Sequence, residues 1–171
     1  MYWFTSDEHY FHGNIIKYCN RPFSSAKEMN EELIRRHNEV VGEEDITIHA
    51  GDFAFVKTYQ QAMKIADRLN GKHIFLNGSH DKWATPAIHE VWEKRIDGQL
   101  IVVCHYCMRT WAASHYNSWH LYGHSHGNLE PIGKSWDIGV DNNDFYPLSF
   151  DKICDIMSKR PDNPNLIKDR R

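Results

Sequence analysis

The chain has 171 residues, a formal net charge of -3 with histidine neutral, 41% hydrophobic and 25% charged residues. These values fit one globular domain with a real core and argue against a strongly basic nucleic-acid platform, while leaving a nucleotide substrate open. Four cysteines (Cys19, Cys104, Cys107 and Cys154) are too few for a disulfide scaffold, and no apolar run approaches the ~20 residues of a membrane span, so a cytoplasmic protein with reduced thiols is expected.

Residues 2–5 read as a short aromatic strand that ends at Ser6 and Asp7. A polar and aromatic loop runs to Phe23. Ser25 and Glu28 form a capping box, and Ala26, Met29, Leu33, His37, Val40 and Val41 follow at helical spacing. Residues 45–50 read as a strand, with Gly51 and Asp52 just past its end. Thr58 and Gln61 make a second capping box. Ala62, Ile65, Ala66 and Leu69 form the buried stripe of that helix, and Asn70 and Gly71 stop it. Residues 72–76 read as a strand and 85–93 as a short helix with Pro86 in its first turn. Residues 99–104 are the most apolar strand, and His105 follows at once. Residues 120–122 run as a strand into Gly123 and His124, and 136–140 alternate as a strand. Ser149 caps a last helix containing Ile153, Ile156 and Met157. The domain is expected to span 1–158. Residues 159–171 carry five Lys/Arg against two Asp, and read as a polar basic tail.

Histidine and aspartate gather in five short islands, each at or just beyond the end of a predicted strand. Ligands of open α/β sheets gather outside the carboxyl ends of strands, so the five islands could converge on one spot. Asp7 and His9 are two apart, and both could reach one metal ion. Asp52 follows Gly51, which lets the backbone turn sharply; its two carboxylate oxygens could serve two ions. His124 and His126 bracket Ser125 between two glycines, a spacing that suits ligation more than an idle turn. His105, His80 and Asp81 are weaker signals when taken singly. Carboxylate and imidazole together suit divalent cations and attack on a phosphoester. Asn14, Arg21 and Arg109 are polar neighbours in sequence, and an arginine can clamp a phosphate. His12 could contact a substrate. Trp111, Trp119 and Trp136 could stack a nucleobase, although packing explains them at least as well. Cys104 and Cys107 form one C-x-x-C without a second, so neither a zinc ribbon nor a redox pair is expected.

Taken in order, these motifs resemble the calcineurin-like metallophosphoesterases, whose series is D-x-H, G-D, G-N-H-[DE], a later histidine, and G-H-x-H. The likeness runs from Phe4 to Asp141 and is greatest to the small bacterial and phage type, through Asn14, Ile15 and Tyr18, through Asn20, Arg21, Pro22 and Phe23, and through Tyr106, Met108 and Arg109. It implies an α/β four-layer sandwich, two facing β-sheets flanked by helices. It also implies two divalent ions, of manganese, iron, zinc or nickel. Asp7, His9, Asp52 and His126 would hold the first, and Asp52, His105, His124 and residue 79 the second. A hydroxide between them would attack phosphorus, His80 would protonate the leaving oxygen, and Asp81 would support His80. Arg109 and Asn14 would bind substrate.

Position 79 departs from the pattern, because Ser79 stands where the family carries asparagine. A serine hydroxyl is shorter than an asparagine carbonyl, so weaker binding of the second ion is expected. Ser79 leaves three readings open: a working variant, a deliberate change that traps a ligand, or a site that has drifted toward binding. The expected activity is a phosphoesterase acting on small phosphodiesters, nucleotides or oligonucleotides, with no membrane and no evident protein partner. The alternative is a weakened or inactive binding module of the same fold.

Overall fold

Phe4, Ile48, Ile101, Val103 and Leu121 are fully buried in one apolar cluster with Ile138, and the first five come from two different sheets. A computed structural model describes residues 1–85 and 88–167. The elements are β1 (Tyr2–Thr5), α1 (Ile15–Tyr18), α2 (Ala26–Val40), β2 (Ile46–His49), α3 (Tyr59–Ala66), β3 (Lys72–Phe75), β4 (Val91–Ile96), β5 (Gln99–Cys104), β6 (Trp119–Tyr122), β7 (Ser135–Asp137), β8 (Leu148–Ser149) and α4 (Phe150–Lys159).

The first sheet has the order β3-β2-β1-β8, and the second β4-β5-β6-β7. Strands β1, β2 and β3 run parallel, with Thr5 opposite His49 and His49 opposite Phe75. Three strand ends therefore lie side by side, and the loops that leave them start from one edge. Strands β5, β6 and β7 are also parallel, and a bridge between Ser6 and Gly139 ties the end of β1 to the segment after β7. The carboxyl ends of both sheets thus meet. The expected calcineurin-like four-layer α/β sandwich is the observed fold.

Helices α2 and α3 bury Met29, Leu33, Ile34, Ala62 and Ile65 in a second cluster with Tyr10, Phe53 and Trp83. Their starts follow the sequence. Thr58 and Gln61 close a full capping box. Ser25 accepts from the Glu28 N–H, but the Glu28 carboxylate reaches back to Ser24 rather than to Ser25, so that box is half formed. Ser149 caps α4, and Ile153 and Met157 of α4 enter the first cluster. Among the described residues, no helix is long and apolar enough to cross a membrane.

The helix expected over 85–93 is corrected. Val91, Trp92 and Glu93 belong to β4, which pairs antiparallel with β5. Asp97 and Gly98 join the two strands with φ of 48° and 84°, the left-handed pair that a two-residue hairpin turn requires. Pro86 lies outside the described residues. The strand expected over 136–140 stops at Asp137, and α1 and β8 are too short to have left a periodic signal. In the basic tail, Arg160 Nε donates to the Gly133 carbonyl at 2.8 Å, and buried Asn163 donates to the carbonyls of Ser114 and Ser118 at 2.9 Å each. Residues 168–171 lie outside the described residues.

Candidate metal centre

Three strand ends deliver five of the centre's residues. Beyond β1, Asp7 and His9 adopt φ of 59° and 53°, and beyond β2, Asp52 adopts 54°. Beyond β6, His124 and His126 adopt 68° and 47°. Left-handed backbone is uncommon for residues other than glycine and collects where surrounding structure enforces it, often at functional sites. Five such residues here are five of the seven positions expected to bind metal.

Neighbouring glycines allow the approach. A β-carbon on Gly123 would run into Ser6 Oγ and Asp7 Oδ2, and one on Gly78 would run into the Asp52 backbone nitrogen and Oδ1. Asp7 instead accepts the His124 N–H at 2.9 Å on Oδ2. Asp52 accepts the His80 N–H at 2.7 Å on Oδ1. Asp137 pins the turn that carries both histidines, accepting from Ser125 Oγ at 2.8 Å and from the Gly127 N–H at 2.9 Å.

The side chains form two groups. Asp7, His9 and His126 place ligand atoms within 4.8 Å of one another, and so do Asp52, His105 and His124. Asp52 stands between them, with Oδ2 3.6 Å from His9 Nε2 and 3.5 Å from His105 Nε2. His105 spends Nδ1 on the Ala50 carbonyl at 2.9 Å. Among the described residues its Nε2 is buried without a hydrogen bond, and so is the Nε2 of His9. A buried ring nitrogen left unpaired costs free energy unless something occupies it. Orphaned nitrogens aimed at one carboxylate fit divalent cations: each group could hold one ion, and Asp52 could face both.

Burial and neighbouring charges together set the ionisation of the centre. Burial pushes the Asp7 carboxyl up to about 7, and burial pushes the His9 ring down to about 3. Burial opposes ionisation of Asp52 as well, but His105, the His80 N–H and His9 outweigh it and hold that carboxyl below the usual range. Burial likewise opposes charge on His126, where Asp141 and Asp7 outweigh it and raise the ring.

The remaining expected residues separate. Ser79 Oγ lies 3.1 Å from Asp52 Oδ2, at the second group. His80 is exposed; its ring makes no hydrogen bond among the described residues and packs near His9, at 5.5 Å between centroids. Asn14 lines the same groove as His9, His80 and His126. Arg109 does not. It lines a separate cavity of about 220 Å³ with Trp111 and Ile132.

Asp81 does not support the His80 ring. Its oxygens are taken by the N–H groups of Asp52, Gly78 and Ala54 and by Trp83 Nε1, so it holds the loop that shapes the second group. Burial raises its carboxyl to about 6. Arg21 is no phosphate clamp either. Its buried guanidinium is consumed by Asp141 and by the carbonyls of Asp7 and Glu8. Trp119 and Trp136 pack on the first core cluster, and Trp111 donates to the Ser118 carbonyl. Cys104 and Cys107 are free thiols.

Reading by motif passed over one connection. His126 donates from Nδ1 to Asp141 Oδ2 at 2.6 Å, and Asp141 is held in turn by Arg21. This leaves His126 Nε2 for the first group. A carboxylate on the far nitrogen of a ligand histidine fixes its tautomer and raises its basicity. Cys19 also lies within ligand distance of His126 and Asp141. Only the nearness of Asp141 to the last motif could have hinted at it.

No family model matches the chain. The crystal structure of a protein of unknown function, AQ665 from Aquifex aeolicus, superposes with a TM-score of 0.72 at 23% identity, covering 91% of this chain and 98% of that one. It shares the fold. A conserved uncharacterized protein of Streptococcus pneumoniae, described as a predicted phosphoesterase, gives a TM-score of 0.38 at 15% identity over 81% of this chain and 70% of that one, too low a likeness to carry weight. The uncharacterized protein MJ1445 of Methanocaldococcus jannaschii is 34% identical over 162 residues, which are 90% of this chain and 89% of that protein. With a third of the residues shared over nearly the whole of both proteins, the chain belongs to the same family as MJ1445.

Proposed function

We propose that the chain is a calcineurin-like metallophosphoesterase that hydrolyses phosphodiesters or nucleotide-like phosphoesters. The observation that carries this reading is Asp52, flanked by the partnerless Nε2 atoms of His9 and His105 and by a histidine–carboxylate group on each side. Asp7, His9, Asp52 and His126 would hold one divalent ion. Asp52, Ser79, His105 and His124 would hold the other. Bound ions would supply an activated water and positive charge against the phosphoryl oxygens.

The chain's own residues would do the rest. Asp141 keeps a proton on His126 Nδ1, so Nε2 stays a lone-pair donor. The His80 ring is exposed and makes no hydrogen bond among the described residues, so it can turn to the leaving oxygen and give it a proton. In the net reaction, water oxygen joins phosphorus, the bond from phosphorus to the leaving oxygen breaks, and that oxygen leaves as an alcohol.

The reading is tested with bis(p-nitrophenyl) phosphate and added manganese, with Asp52→Asn as control. Manganese-dependent hydrolysis that is lost in Asp52→Asn supports it. No such hydrolysis, either by the chain as it stands or by Ser79→Asn, overturns it in favour of a binding module. Activity found only in Ser79→Asn would identify Ser79 as the residue that disables the centre.

A further inference from the structure

Beside the two groups runs a groove of about 650 Å³, a volume that suits a drug-sized or nucleotide-sized ligand. His9, His80 and His126 line it toward the metal centre. The rest of its wall sets three aromatic rings, His12, Tyr18 and Phe55, among polar and aliphatic side chains. The His12 ring lies parallel to Phe55, with centroids 4.3 Å apart and an interplanar angle of 12°. Tyr18 stands edge-on to His12 at 6.3 Å and 79°. His12 is buried, whereas Phe55 is 44% and Tyr18 73% exposed. His12 therefore backs Phe55, His80 stands tilted to it at 6.0 Å, and the exposed part of the Phe55 ring is open to a ligand. Asn14 offers a carboxamide without a hydrogen bond among the described residues, and Lys82 is the one Lys or Arg among the described lining residues.

Resting on the phosphoesterase reading, we propose that this groove is a nucleoside subsite. The base stacks on Phe55 with Tyr18 at its edge, Asn14 meets polar edges of base or sugar, and the phosphoester enters the metal centre. A flat π surface is complementary to a flat base of any sequence. Carboxamides read base edges. A phosphoserine peptide would bring no flat π surface to Phe55. One lysine in the lining and a net charge of -3 suit a single nucleotide unit, not a long polyanion that needs many phosphate contacts.

The test uses two diesters with the same leaving group, thymidine 5′-(p-nitrophenyl phosphate) and methyl p-nitrophenyl phosphate, on the manganese-loaded protein. The nucleoside ester should be favoured in kcat/KM by about tenfold, as one stacked base allows. Phe55→Ala should remove most of that preference, chiefly through KM, and Phe55→Trp should restore it. Equal kcat/KM for the two esters, or a preference untouched by Phe55→Ala, would overturn the subsite while leaving the phosphoesterase reading intact. If neither ester is hydrolysed, by the chain as it stands or by Ser79→Asn, the phosphoesterase reading fails instead. Calorimetric binding of thymidine 5′-monophosphate then decides the subsite: binding weakened by Phe55→Ala upholds it, and no binding, or binding indifferent to Phe55→Ala, overturns it.

Discussion

Arg21 grips Asp141 through two hydrogen bonds of 2.7 and 2.8 Å, although 120 residues separate them in the chain. The same guanidinium donates to the carbonyls of Asp7 and Glu8 at 2.7 and 2.9 Å. One buried cation thus fixes the backbone of the first island and, through Asp141, the ring of the last. Asp141→Asn should keep the fold and weaken manganese binding about 10–100-fold, the usual effect of losing a carboxylate behind a ligand histidine. Calorimetric titration of manganese checks this, and an unchanged affinity would refute it.

Arg21→Met should act on stability first. The ion pair is buried, and removing one partner leaves an uncompensated charge, at a cost on the order of 3–5 kcal/mol. Urea unfolding followed by circular dichroism should register this. A loss under about 1 kcal/mol, the range of an exposed pair, would show that solvent reaches Asp141.

Ser79→Asn should strengthen the second ion's site. The Ser79 hydroxyl reaches Asp52 at 3.1 Å, and the longer carboxamide adds a carbonyl oxygen from the same backbone position. The expected result is tighter binding of a second manganese and faster aryl phosphodiester hydrolysis. Weaker binding would mean that the Ser79 contact with Asp52 is itself needed.

Acid should destabilise the protein through histidines away from the centre. Burial holds His37 and His49 down at about 3 and His73 at about 4, against an ordinary 6.5. A histidine lowered on folding binds its proton more readily in the unfolded chain. Its stabilising contribution is therefore complete above pH 6.5 and falls as the pH drops toward the folded value. For His37 alone this is about 2 kcal/mol between pH 6.5 and 5. Chemical denaturation across that window should show the decline. His37→Gln should flatten it, and a flat wild-type profile would contradict the burial of these rings as neutral groups.

Much of the centre was legible because its residues are tied to strand ends. Asp7, Asp52, His105 and His124 each follow an apolar run, and that placement announces convergence before any coordinates. The glycine beside Asp52 and those around His124 and His126 signalled close approach, and Gly123 and Gly78 lie against Asp7 and Asp52. What escaped was pairing over distance. Nothing local in Arg21 or Asp141 says that they meet, and Arg21 alone reads as a candidate phosphate clamp. Asp81 misled for a related reason: a histidine–aspartate pair suggests ring support, but four donors from neighbouring loop residues claim the carboxylate. The β4–β5 hairpin carried its signal in Asp97 and Gly98, outweighed by a proline that favoured a helix start. The left-handed backbone at five centre residues suits their types, since Asp and His are enriched there among non-glycine residues, but the same types are common in other conformations and did not mark these positions.

Anomalous diffraction from a manganese-soaked crystal would test the central claim most directly. Two peaks should flank Asp52, one within ligand distance of Asp7, His9 and His126 and the other of His105 and His124. Peaks confined to the surface, or a single peak with Asp52 outside its coordination, would contradict the account.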